Sequence, residues 1–242
     1  MIELKDVSKR FGDRQVLDQM SLTVPKGETY VLMGPSGVGK SVTLKHIIGI
    51  LKPDAGEVIV DGKSIPDLDR DDLMSMRKRM GYLFQDGALI NWLSVLENVS
   101  LPLAEHSNLS KSDIKDRACQ VLELVGMSHA IDNYPGDISG GMKLRTGLAR
   151  ALVHEPEIVL YDEPNAGLDP IISDQIHRLI VEVSETLGVT GLVVTHSRAC
   201  AITVASRIGI ILDGRIAEEG SVEEMMASEY QLALDFLGRG AD

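Results

Sequence analysis

The residues Gly34-Pro35-Ser36-Gly37-Val38-Gly39-Lys40-Ser41 carry the strongest chemical signal in this sequence. They match G-x-x-x-x-G-K-[ST] without a gap. Glycines at this spacing let a loop curl until several backbone N–H groups converge on phosphate oxygens. A helix that opens at the end of the loop adds the positive end of its dipole. In such a loop Lys40 reaches the β- and γ-phosphates, and the Ser41 hydroxyl binds Mg²⁺. The apolar run Tyr30–Met33 before the loop and the helical pattern after it supply the strand–loop–helix context that the motif requires.

Two further segments carry groups of matching chemistry. Ile158-Val159-Leu160-Tyr161 reads as a buried strand that delivers Asp162 and Glu163 at its C-terminal end, followed by Pro164. Ligands of open α/β sheets bind at that edge. Asp162 is expected to support Mg²⁺ through water, and Glu163 to polarise an attacking water. The third segment is Ile138-Ser139-Gly140-Gly141-Met142, continued by Lys143–Ala151. Ser-Gly-Gly at the start of a helix offers a hydroxyl and free N–H groups to an anion. A turn and an ordinary serine N-cap are the plainer readings of these two segments taken singly; paired with the phosphate loop, the Asp-Glu-Pro strand becomes a strong signal.

The elements that must position these residues alternate. Strand-like segments begin at Ile2, Leu4 and Val7 and recur at Met20–Val24, Glu28–Met33, Val58–Val60, Arg79–Phe84, Ile158–Tyr161, Leu192–Thr195 and Arg207–Leu212. Asp61-Gly62 and Asp213-Gly214 are turn signals, the second a hairpin. Helices are expected over Lys40–Leu51, ending before Lys52-Pro53, over Pro170–Leu187, and in one tail segment, Val222–Leu237. From about Asp86 to Glu155 the pattern changes. Ile114, Ala118, Val121, Leu122 and Val125 keep helical spacing, with cap residues at Ser110–Asp113, so this stretch reads as a mainly helical insert. Strands alternating with helices imply a mostly parallel sheet covered on both faces.

Composition sets the outer bounds. The 242 residues are 44% hydrophobic and 25% charged, which excludes disorder, collagen and coiled coil as the main state. Aromatics are 4%, so the core must rest on Ile, Leu, Val, Met and Ala. The net charge of −12 argues against a nucleic-acid partner, which needs a basic face. Cys119 and Cys200 fit neither a zinc signature nor a disulfide framework and are expected to be buried thiols of a reducing cytoplasm. No leader pattern opens the chain, and no apolar run approaches the ~18 residues of a membrane span. A soluble protein, docking on a membrane protein, is the expectation.

Together, the phosphate loop, Ser-Gly-Gly with its Leu148-Ala149-Arg150-Ala151 segment, the Asp-Glu-Pro strand and Gly167-Leu168-Asp169 resemble an ABC transporter ATPase subunit, over nearly the whole chain and in the family's order. The resemblance implies an α/β fold of the P-loop NTPase type. It has a mostly parallel RecA-like core, an N-terminal antiparallel β subdomain, and a helical subdomain inserted at 86–155 between core segments 1–85 and 156–242. It further implies that Phe11 stacks on adenine with help from Val16, a core phenylalanine being the alternative. Gly34 to Ser41 and Val42 surround the phosphates. Gln85 touches Mg²⁺ and water, alongside the metal residues Ser41 and Asp162. His196, in Val193-Val194-Thr195-His196, contacts the γ-phosphate. Asn165–Asp169 crosses between subunits. Ser139, Gly140 and Gly141 serve the nucleotide of a second copy, so ATP is held between two copies in a head-to-tail homodimer.

Within the family the segments Gly39–Val58, Val95–Leu103 and Leu160–Pro170 are similar to the lipid-transporting Mla/Mce branch, as is Met142 in place of the usual Gln. The chain departs from common family forms at Ile138, Val42 and Asn165. This resemblance implies peripheral attachment to the cytoplasmic face of the inner membrane through an MlaE-like permease, with a small STAS-type subunit and a periplasmic lipid-binding subunit as further partners. ATPases for another solute, soluble ABC ATPases of iron–sulfur assembly or DNA repair, and a module with a dead site are the alternatives. Trp92, in the apolar stretch Leu89–Pro102, is the expected anchor for a permease helix, with core packing as its competitor.

Overall fold

Paired N-terminal strands begin the chain. In the computed structural model, which describes residues 1–229 and 231–238, β1 (Ile2–Phe11) and β2 (Arg14–Val24) run antiparallel through a turn at Gly12-Asp13. Register shifts along β1 and positive φ at Asp6 and Gln19 mark bulges. An extra residue flips side chains to the other face, which hides the first half of β2 from a period-two reading; the strand is twice the expected Met20–Val24 segment. β3 (Thr29–Met33) leaves this sheet and delivers the phosphate loop to α1 (Lys40–Ile47). That helix stops short of Leu51, since Gly49 turns left-handed at φ 73°. β4 (Ala55–Val60) and the short β5 (Lys63–Ser64) complete a first sheet of order β2-β1-β4-β5.

The second sheet is built from buried strands. α2 (Arg70–Lys78) starts at Asp69, whose carboxylate accepts from the N–H groups of Asp71 and Asp72. It leads into β6 (Met80–Leu83). Three helices follow before the next strand: α3 (Val95–His106), α4 (Lys111–Leu124) and α5 (Gly140–Leu152). Capping boxes at Ser94/Glu97 and Ser110/Asp113 open the first two. Then come β7 (Ile158–Asp162), α6 (Pro170–Leu187), β8 (Thr190–Thr195), α7 (Arg198–Val204), β9 (Arg207–Leu212) and β10 (Arg215–Ser221). The sheet order is β10-β9-β3-β8-β7-β6, parallel except for β10. The tail forms two helices, α8 (Val222–Ala227) and α9 (Gln231–Leu237), in place of the one expected. Ser228 takes extended φ/ψ at the end of α8, and Tyr230 lies outside the described residues.

β3 shows how the layers are assembled. Tyr30 and Leu32 belong to a core shared with the antiparallel sheet and α1, while Val31 and Met33 pack with α5, α6 and α7. A strand buried on both faces must be apolar along nearly its whole length, and β3 is so from Tyr30 to Met33, with buried Thr29 the polar residue at its start. The Asp213-Gly214 hairpin ties the two sheets together. Its Gly214 carbonyl accepts from Asp18 N–H at 3.0 Å, and Arg215 donates twice to the Asp18 carboxylate at 2.6 and 2.9 Å.

Candidate active site

Register alone brings four chain segments to one edge. Met33 pairs with Thr195, Asp162 with Val194, and Leu83 with Tyr161, so β3, β6, β7 and β8 end at the same level. The phosphate loop, Gln85, Glu163 and His196 are the residues that follow. They face a cavity of about 380 Å³ together with Phe11, Val16 and Val42. Phe11 is 45% exposed, which removes the core alternative for it.

The loop needs its glycines for two reasons. Gly37 and Gly39 adopt left-handed φ of 77° and 119°. At Gly39 a Cβ would also stand 2.9 Å from Leu17 and 3.0 Å from the Val16 carbonyl, so the loop can lie against β2 only without a side chain there. Lys40 is nearly buried. Its ammonium donates to the carbonyls of Gly34 at 2.8 Å and Pro35 at 3.1 Å and pairs with Glu163 Oε1 at 3.3 Å. Thus Gly34 and Pro35 aim Lys40 rather than line the cavity, and Val38 packs into the core beside the antiparallel sheet.

The carboxylates have separate partners. Asp162 Oδ1 accepts from Ser41 Oγ at 2.7 Å, and its Oδ2 accepts from Tyr82 Oη at 3.0 Å. Burial, with the Asp162 charge adding to it, pushes the Tyr82 hydroxyl well above its ordinary pKa, so it is a donor. Glu163 sits at a left-handed φ of 48° that turns the chain at the end of β7. Its Oε2 lies 2.9 Å from His196 Nδ1 and 3.3 Å from the His196 backbone nitrogen. A hydroxyl and a carboxylate on adjoining positions form a hard-oxygen donor pair, the kind Mg²⁺ takes alongside phosphate oxygens. The residues present therefore fit Mg²⁺ with ATP.

Ser139, Gly140 and Gly141 do not line this cavity. Ser139 caps α5, accepting from Met142 N–H at 3.3 Å. A Cβ on Gly141 would stand 2.6 Å from Ile172, and one on Gly140 3.2 Å from Leu168. The Ser-Gly-Gly turn is pressed against the start of α6.

Four supporting residues escape sequence reasoning. Arg14 lines the cavity and donates to the Gly37 carbonyl at 2.7 Å; an exposed cation in a hairpin carries no signal by spacing. Tyr82 holds Asp162. Asn98, fully buried, donates to the carbonyls of Ile90, Leu93 and Ser94 and accepts from Ile90 N–H, fixing the loop after Gln85. Arg150 grips the same loop through the carbonyls of Gly87 and Ala88 at 2.6 and 2.8 Å. Only the polarity of Asn98 within an apolar helical pattern could have flagged it. Trp92 is 79% exposed, so the core reading of that residue is wrong. Cys200 is buried as expected, whereas Cys119 is half-buried.

Comparison with known proteins agrees with this geometry. The ABC transporter family matches residues 17–166. Over 242 residues the chain is 39% identical to the intermembrane phospholipid transport system ATP-binding protein MlaF of Escherichia coli K12, spanning 100% of this chain and 90% of that protein. Over 236 residues it is 39% identical to the probable ribonucleotide transport ATP-binding protein mkl of Mycobacterium leprae, spanning 98% of this chain and 68% of that protein. Among solved structures, a dimeric ATP-binding cassette in a post-hydrolysis state bound to ADP and Pi superposes with a TM-score of 0.83 at 35% identity, over 92% of this chain and 99% of that one.

Proposed function

This chain belongs to the ABC transporter ATPase family, and from that premise we propose that it powers phospholipid transport as a homodimer on the cytoplasmic face of the inner membrane, bound to an MlaE-like permease. The convergence of Lys40, Ser41, Gln85, Glu163 and His196 on one cavity at the sheet edge carries the catalytic half of this reading. Arriving ATP takes Lys40 from Glu163 and pairs it with the γ-phosphate. Glu163, freed, orients the attacking water and receives its proton, and His196 steadies the phosphate as its charge redistributes. Phe11, beside Val16, offers the adenine an exposed ring. Mg²⁺, when bound, neutralises phosphate charge; Ser41 and Asp162 would hold it, with Gln85 at its rim.

Ser139–Gly141 stand apart from this cavity, which supports a site completed by a second copy; the dimeric cassette of similar fold gives the same support. ATP is then a ligand of the closed dimer and shifts an open–closed equilibrium. Residues 86–155 form the inserted helical subdomain in this reading, since the described elements between β6 and β7 are all helical. The permease meets the chain there. Beside α2, α3 and α5 lies a cavity of about 350 Å³ walled by Arg77, Lys78 and Arg150 with no carboxylate. In a chain of charge −12 that is a seat for a short helix carrying an acidic residue. No helix among the described residues is long and apolar enough to cross a membrane.

MlaF and mkl differ in the cargo of their names. Coverage favours phospholipid, since the chain spans 90% of MlaF but 68% of mkl; ribonucleotide is the second reading. The tagged chain, purified from membranes with its partners and reconstituted in liposomes, should move fluorescent phospholipid only with ATP. Turnover stimulated by ribonucleotides, with no phospholipid movement, would establish the second reading.

A further inference from the structure

Asp162 is held from both sides. Ser41 Oγ, at the start of α1, donates to Oδ1 at 2.7 Å. Tyr82 Oη, from the neighbouring strand β6, donates to Oδ2 at 3.0 Å. The Tyr82 ring is fixed in turn by Phe84, with centroids 4.3 Å apart and planes at 36°, and it walls the cavity beside α2, α3 and α5.

A carboxylate turns easily about its terminal torsion, whose energy profile is broad. One donor fixes an oxygen; two donors on opposite oxygens fix the plane. Ser41 is itself asked to serve the metal, so its oxygen has a second duty beside the hydrogen bond to Asp162. The Tyr82 bond comes from a strand interior and has no such second duty. We propose that Tyr82 is a positioning residue of the ATP site, whose hydroxyl holds one oxygen of Asp162 so that the other faces Ser41 and the metal. The inference rests on the ATPase reading above.

The plainer account is that a half-buried hydroxyl has found an acceptor. The two accounts separate at Tyr82→Phe, which keeps the ring and deletes the donor. Outer partners of metal sites typically alter metal affinity ~10–100-fold when removed, and a single hydrogen bond to a charged group is worth about tenfold. Mn²⁺ is the probe, with binding followed by loss of the free-ion electron paramagnetic resonance signal against a protein-free Mn²⁺–ATP control. The full-length chain carries saturating ATP. Tyr82→Phe should retain Mn²⁺ about tenfold more weakly, bind ATP in EDTA as the parent does, and melt at nearly the same temperature. Tyr82→Met should match Tyr82→Phe. Unchanged Mn²⁺ affinity in folded Tyr82→Phe overturns the proposal, as does a loss confined to Tyr82→Met, which would assign the effect to the ring. If the parent chain itself binds no Mn²⁺ with ATP, the ATPase reading falls and the proposal with it.

Discussion

Glu163→Gln should separate binding from hydrolysis, and in opposite directions. Glu163 divides its oxygens between Lys40 at 3.3 Å and His196 at 2.9 Å, and its side chain is only 12% exposed. Two unit charges near 4 Å interact by ~4 kcal/mol at an effective dielectric constant of about 20. Most of that is offset by desolvation and by water in the cavity, leaving ~1–2 kcal/mol. Glutamine removes it without changing shape. Lys40 keeps the Gly34 and Pro35 carbonyls, so the free chain should lose ~1–2 kcal/mol, or about 2–8 °C in melting temperature. ATP then no longer competes with Glu163 for Lys40, and the γ-phosphate meets no carboxylate. Affinity for ATP should rise about 5–30-fold, in line with ~1–2 kcal/mol. Turnover should fall roughly 10²–10⁴-fold if, as proposed, Glu163 is the base that accepts the proton from water. Calorimetry gives the affinity, phosphate release the turnover, and scanning calorimetry with and without Mg·ATP should show the two melting curves exchange order. Turnover within threefold of the parent, or an ATP affinity that drops, would refute the reasoning.

Trp92→Ala should leave folding within ~0.5 kcal/mol and keep hydrolysis in isolation, because the ring is 79% exposed; its deficit should show as lost association with the permease in co-purification. Burial, helped by the Glu163 charge, pushes the Cys200 thiol up to about 12. Below pH 9 it should resist iodoacetamide in the native chain while half-buried Cys119 reacts, and labelling of Cys200 should appear only with unfolding, as mass spectrometry would show.

The chemistry was legible because it is written in contiguous runs. Gly34–Ser41 and Ile158–Glu163 each place a strand, a turn and functional side chains within a few residues, and the sheet register then brings them together. Long buried strands such as β8 read as apolar runs for the same reason. What stayed hidden depends on partners far away in sequence. Tyr82 gains its role from Asp162, 80 residues on, and Arg14 from a carbonyl 23 residues on. Bulges at Asp6 and Gln19 broke the alternation that would have revealed all of β2. α7 is short, and α2 carries a mainly charged pattern, so neither offers the broad apolar stripe that marks a helix. Exposure decided Trp92 and Phe11, and exposure is a property of packing that no local pattern contains.

The central claim is that one chain holds half of each ATP site, and sedimentation of the chain with ATP tests it most directly. Ser139 lies outside the cavity that holds Lys40, so Ser139→Arg should still bind ATP as a single copy. Glu163→Gln with ATP should sediment as a dimer, and the double variant carrying Ser139→Arg should stay monomeric at the same nucleotide saturation. Mixing Ser139→Arg with Lys40→Ala chains should restore part of the hydrolysis, since one site of each mixed dimer is intact. A Ser139→Arg chain that hydrolyses ATP at the parent rate as a monomer would contradict the account.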